Sequence, residues 1–245
     1  MELYRFILYV LFGTLPSLIW LLYYLKKDLH PEPKRTILEI FLLGCLVTIP
    51  VYFSQIYITQ FLGQVAFFSY YPLFFDILKW FVAIAFIEEL FKFFVVKLGA
   101  FRSGRLDEPV DLMIYMVVSA LGFAAVENIL YLAVPLGNNS FSALIQTTAM
   151  ISFIRFIGAT FLHTLCSALL GYFLVLGVCK SKRNIFMLIT GLALASGFHG
   201  LYNFSIVLLP SPFNSIIPIT IIMVLFIIMV YNFSKVKKLK SICKI

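Results

Sequence analysis

Charge is what this chain has least of. Lys, Arg, Asp and Glu make up 12% of its 245 residues against 62% hydrophobic ones, and the mean hydropathy is +1.02. So few polar groups cannot cover a water-facing surface, which excludes an ordinary soluble domain. Cysteine is sparse too. There are four, with no CxxC spacing, so a structural zinc site made of thiolates is excluded. Cys45 and Cys166 fall inside apolar runs, while Cys179 and Cys243 lie beside basic segments expected in the cytoplasm, and neither setting favours a disulfide. The usual hydrolase signatures are missing as well: no HExxH, no GxSxG, no Ser–Lys pair and no buried aspartyl pair. The net charge of +8 has no aromatic interleaving or nucleic-acid module around it, so it reads as membrane topology and attraction to anionic lipid, not nucleic-acid binding.

What the chain has in abundance is long apolar runs. Runs bounded by charges or turn residues predict about seven transmembrane helices, near 4–25, 37–59, 74–98, 111–134, 153–178, 185–208 and 214–233. The stretch 141–178 is too long for one crossing and too short for two plus a turn, so an interfacial helix is expected near 141–152. The fold class is thus all-α, a polytopic helical bundle in the lipid bilayer. It forms one domain over 1–245, with the polar motifs within about 74–208, flanking helices 4–59 and 214–233, and a basic tail 234–245. The first run ends in Lys26 and Lys27 without a small-residue cleavage site and reads as a retained helix. Lys34 and Arg35, Arg102 and Arg105, Lys180, Lys182 and Arg183, and the lysines of the tail mark cytoplasmic loops, whereas 60–73, 135–140 and 209–213 lack Lys and Arg. An N-terminus outside and a C-terminus inside the cell membrane follow.

Polar residues inside such runs are costly and need a partner or a purpose. The third run carries Glu88, Glu89 and Lys92; the fourth Glu127 and Asn128; the fifth Arg155 and His163; the sixth His199 and Asn203. At about 1.5 Å rise per residue, Glu88, His163 and His199 lie at comparable depths and Glu127 about one turn further out. All can face one cavity. Glu88 and Glu89 point about 100° apart on a helix, so their roles should differ. The bland readings are a Glu88–Lys92 ion pair, a Glu127–Arg155 interhelical pair, Asn128 as interhelical glue, and histidines satisfied within the core. His30, between charges and prolines, reads as solvated.

Two histidines with carboxylates at matching depth supply what peptide hydrolysis in a bilayer requires: a water, a base and a stabilised oxyanion. With zinc, the ligands would be Glu88, His163 and His199, three N or O donors that leave a position for water. Without metal, Glu88 and His163 would activate the water while His199 and Asn203 donate to the oxyanion. Spacing does not separate these two schemes. Ser167, one turn after His163, is a weak nucleophile candidate.

Five segments carry a family resemblance: Glu88-Glu89-Leu-Phe-Lys92; Asp107-Glu108-Pro109-Val-Asp111; Leu121-Gly122-Phe123-Ala124-Ala-Val-Glu127-Asn128-Ile-Leu-Tyr131; Arg155 followed by His163; and His199-Gly200-Leu-Tyr202-Asn203. In this order, over about half of the chain, they resemble the PrsW family of bacterial intramembrane proteases, within the wider group that contains the CAAX prenyl endopeptidases. The resemblance implies site-1 cleavage of a single-span, membrane-anchored anti-sigma factor, which frees an extracytoplasmic-function sigma factor under stress. It also implies that Glu88, Glu89 and His163 are the family's functional residues, and that His199 and Asn203 match the relatives' oxyanion pair. One departure is Leu112 and Met116, where the family often has small residues. Asp107-Glu108-Pro109 is expected to cap the fourth helix instead of taking part in catalysis. Two other classes fit buried Glu and His: a proton-coupled secondary transporter, for which no inverted repeat is visible, and a non-catalytic membrane scaffold.

Overall fold

The computed structural model describes residues 3–27, 32–100, 106, 108–134, 140–179 and 184–239. His30, Asp107, Arg102, Arg105, the basic residues at 180–183 and Cys243 lie outside them. The described chain is helical: α1 (Leu3–Lys27), α2 (Lys34–Gln64), the short α3 (Ala66–Tyr70), α4 (Pro72–Leu78), a π-helical stretch (Lys79–Phe86), α5 (Ile87–Gly99), α6 (Pro109–Ala133), α7 (Phe141–Ile157), α8 (Ala159–Cys179), α9 (Asn184–Leu208) and α10 (Phe213–Val236). There is no strand among the described residues.

Among the described residues, six helical segments are long and apolar enough to cross a bilayer. The remaining expected crossing, 74–98, is the continuous run α4, π stretch and α5. Its charges, Asp76, Lys79, Glu88, Glu89, Lys92 and Lys97, set it apart from the others on composition. The protein is a multi-pass membrane protein, and the most highly charged of its long segments holds Glu88, Glu89 and Lys92.

α6 is the centre of the bundle. It is apolar all round, and 94% of its most apolar window is buried, against 22% for α1 and α10 at the periphery. Leu112 and Met116 are fully buried on it, filling the core where small residues would leave space. Its start is fixed by a capping box with Pro109 at the first turn: Glu108 N donates to Asp111 Oδ2 at 2.7 Å. That is the capping expected of this motif. Close backbone approach sets the helix spacing. A Cβ added at Gly122 would lie 2.0 Å from the Phe41 carbonyl oxygen of α2, and one at Gly200 would lie 3.0 Å from Phe81 Cα of the π stretch.

The long run at 141–179 departs from expectation in one respect. The division falls at Gly158, not near 152, so Arg155 belongs to α7 and His163 to α8, and not to one helix as the sequence suggested. Gly158, with φ −100° and ψ −101°, leaves the helical conformation, and nothing polar in the run signals it. Trp20 of α1 braces the break. Its ring stacks on Phe156 and Phe161 at centroid distances of 5.2 and 4.3 Å, and its Nε1 donates to the Phe156 carbonyl at 3.0 Å, one of the carbonyls a helix end leaves without an internal partner.

Cys45 and Cys166 are free thiols, but Cys179 is disulfide-bonded, which corrects the expectation of no disulfide. That expectation rested on compartment alone, and compartment does not say which sulfurs a fold brings together.

Candidate functional site

The charged residues of α5 lie inside the bundle. Glu88, Glu89 and Lys92 are 3%, 0% and 0% exposed, and His163 of α8 and His199 of α9 are each 2% exposed. The π stretch delivers the glutamates to this position, since it packs its Phe81 under Gly200, the neighbour of His199. π-Helical turns widen a helix locally and recur at functional sites.

Glu88 faces both histidines. Its Oε2 lies 3.9 Å from His163 Nδ1 and 3.7 Å from His199 Nε2, and the two imidazoles meet edge to face with centroids 4.9 Å apart. One donor atom from each of Glu88, His163 and His199 lies within 4.8 Å of the other two. Carboxylates hold the far side of each ring: His163 Nε2 is 2.8 Å from Glu127 Oε2, and His199 Nδ1 is 3.1 Å from Glu89 Oε1. An ionised carboxylate only accepts, so the ring protons sit on those nitrogens, which leaves the lone pair of His163 Nδ1 to accept from Lys92 Nζ at 2.8 Å and that of His199 Nε2 on the side of Glu88. This carboxylate–histidine arrangement is the one that orients metal-ligating imidazoles.

The donor set fits a divalent ion. Bonds of about 2.0–2.1 Å in tetrahedral geometry place ligand atoms about 3.3–3.4 Å apart, so an ion would draw Glu88 in from the observed 3.7 and 3.9 Å, draw together the imidazole nitrogens that lie within 4.8 Å of each other, and displace Lys92 Nζ from His163 Nδ1.

Lys92 is the centre's internal cation. Its Nζ lies 2.8 Å from Glu89 Oε1, 3.5 Å from Glu88 Oε2 and 2.8 Å from His163 Nδ1, over the Phe123 ring at 4.6 Å. The expected Glu88–Lys92 pair is therefore the weaker of two, with Glu89 the closer partner. Glu89 also accepts from Ser167 Oγ at 2.8 Å, so Ser167 is committed to a carboxylate. Glu127 does more than pair with Arg155. Its Oε2 takes Arg155 Nη2 at 2.8 Å as well as His163, while Arg155 Nε donates to Asn128 Oδ1 and the guanidinium covers the Tyr131 ring at 3.9 Å. Asn128 is interhelical, as expected, donating to Gly13 O at 3.1 Å and Thr160 Oγ1 at 3.0 Å. Asn203, half-buried one turn beyond His199, makes no side-chain hydrogen bond among the described residues.

One member of the site had no sequence signal. Gln55 of α2 donates from Nε2 to Glu88 Oε1 at 3.0 Å. A single glutamine in an apolar run with no motif around it is indistinguishable from a surface residue.

Comparison with known proteins finds a family that the chain matches. A family model described as "PrsW family intramembrane metalloprotease" matches residues 32–231. The chain is 32% identical over 194 residues to "Protease PrsW" of Oceanobacillus iheyensis, covering 78% of this chain and 80% of that protein. It is 30% identical over 192 residues to "Protease PrsW" of Geobacillus kaustophilus, covering 78% and 76%. With "Protease PrsW" of Bacillus subtilis the identity is 26% over 235 residues, covering 94% of each. No solved structure matches.

Proposed function

The chain belongs to the PrsW family of intramembrane metalloproteases, and from that premise we propose that it hydrolyses a peptide bond of a single-span membrane protein at a centre built from Glu88, His163 and His199. The observation that carries this reading is the convergence of those three donors, from three different helices, within 4.8 Å of one another. Family membership sets aside the transporter and scaffold alternatives.

In this reading Glu88 Oε2, His163 Nδ1 and His199 Nε2 hold a metal ion, with zinc the best match to one carboxylate and two imidazoles. Bound there, it would supply Lewis-acid polarisation of the scissile carbonyl and lower the pKa of a water. Glu127 and Glu89 keep each imidazole in the ligating tautomer, and Arg155 holds Glu127 in place. Glu89, with Lys92 and His199 on one oxygen and Ser167 on the other, orients His199 and anchors Lys92 beside the reacting centre. Lys92 adds a fixed positive charge where negative charge develops. Asn203, one turn beyond His199 with its amide uncommitted among the described residues, would donate to the substrate carbonyl. A metal-free scheme is favoured by one observation: the Lys92 ammonium already lies 2.8 Å from His163 Nδ1, leaving Glu88 as the base and His199 with Asn203 for the oxyanion.

The substrate is an anti-sigma factor anchored by one helix, in keeping with the resemblance carried by the motifs, and the cut releases its sigma factor. The N-terminus lies outside and the C-terminus in the cytoplasm, in keeping with the distribution of Lys and Arg. The test is incubation of the purified protein with such a substrate in detergent or proteoliposomes. Wild-type protein cleaves, and Glu88→Ala, Glu89→Ala and His163→Ala accumulate in the membrane but do not. Cleavage at wild-type rates by these variants would overturn the reading.

A further inference from the structure

The catalytic glutamate has two carboxylate oxygens, and the helices that carry the motifs account for only one. Oε2 meets His163, His199 and Lys92. Oε1 has a single hydrogen-bond partner among the described residues, Gln55 Nε2 of α2 at 3.0 Å. We infer that Gln55 is a positioning residue of the active site, whose amide pins Glu88 Oε1 so that Oε2 alone faces the two histidines. This inference rests on the reading of Glu88 as a member of the hydrolytic centre.

The placement of Gln55 on α2 supports the assignment. Its neighbours Phe53, Ile56 and Tyr57 are 65%, 36% and 72% exposed on the bundle's surface, as lipid-facing side chains are. An amide among such neighbours is costly unless it is hydrogen-bonded, and Glu88 Oε1 is the acceptor that satisfies it. The bond also ties α2 to α5 at the reacting carboxylate. Without it, Glu88 is free to turn Oε1 towards Lys92, which pulls Oε2 away from His163 Nδ1 and His199 Nε2. Ligand orientation by such outer partners typically governs metal affinity or activity by about 10–100-fold. Substrate binding need not change, because the bond restrains a group that acts on the reacting atoms.

The experiment compares full-length wild type, Gln55→Met and Gln60→Met in detergent. Methionine matches glutamine in length and lacks the donor; Gln60, exposed on the same helix, is the control. Zinc affinity is read by competition with a chromogenic chelator, and kcat and KM are read with a single-span substrate. Gln55→Met is expected to bind zinc about 10–100-fold more weakly and to lose a similar factor in kcat, with KM within about twofold and Gln60→Met unchanged. Wild-type zinc affinity and kcat in Gln55→Met would overturn the inference, and so would a loss confined to KM. If Gln55→Met does not accumulate, Gln55→Asn, whose amide falls one carbon short of Glu88, takes its place with the same expected outcome. A wild-type protein that neither binds zinc nor cleaves would count against the metalloprotease reading itself and take this inference with it.

Discussion

At the scale of single residues, the site is a balance of buried charge in which each member restrains another. Lys92 is the clearest case, fully buried with Glu89 at 2.8 Å and Glu88 at 3.5 Å. Removing one partner of a buried pair typically destabilises by about 3–5 kcal/mol, because the other charge is left uncompensated. Lys92→Met is therefore expected to lower the midpoint of thermal unfolding in detergent, and an unchanged midpoint would show that the carboxylates do not depend on it. Glu127 acts one step further out. Glu127→Gln still accepts a bond but no longer fixes the His163 tautomer by charge, so activity is expected to fall by about 10–100-fold while the protein accumulates normally. Activity within twofold of wild type would return Glu127 to the structural role that the sequence first suggested.

At the scale of elements, close packing places the histidines. Gly200 lets α9 touch the π stretch, so Gly200→Val must push apart the two segments that hold His199 and the glutamates. Overpacking of this kind costs about 1–3 kcal/mol, and kcat is expected to drop with every site residue intact; wild-type activity in that variant would show that the seam is not what aligns them. At the break between α7 and α8, Trp20→Phe keeps the ring stack and removes the bond to the Phe156 carbonyl, an expected loss of about 0.5–1.5 kcal/mol read by thermal unfolding. These elements also mark what was legible in the sequence. Glu88, Glu89, Lys92, Glu127, Asn128, Arg155, His163 and His199 stood out because charge and imidazole in an apolar run are too costly to be accidental, and the bundle brings all of them together. The break at Gly158 is misplaced in the sequence reading because a lone glycine in a long, mainly apolar run reads equally as a tolerated helix interior, and the π stretch leaves no trace because its composition is that of any helix in a bundle. Gln55 escaped for a different reason: its meaning comes wholly from a partner 33 residues away.

At the scale of the whole molecule, a bundle with α6 at its centre holds a hydrophilic centre among spans whose outer faces are apolar. The distribution of basic residues leads to the expectation that a reporter fused after residue 239 is active only in the cytoplasm and one fused at the N-terminus only outside; the reverse pattern would invert the bundle and put the proposed cut on the other face of the membrane. The central claim is that Glu88, His163 and His199 form a metal-dependent hydrolytic centre. Its most direct test is cleavage of a purified single-span substrate by protein stripped with chelator and then titrated with zinc. Loss of cleavage on stripping and its recovery at about one zinc per chain, as a site with three protein ligands requires, is the expected result. Undiminished cleavage by the stripped protein would contradict it and leave Glu88 working as a base without metal.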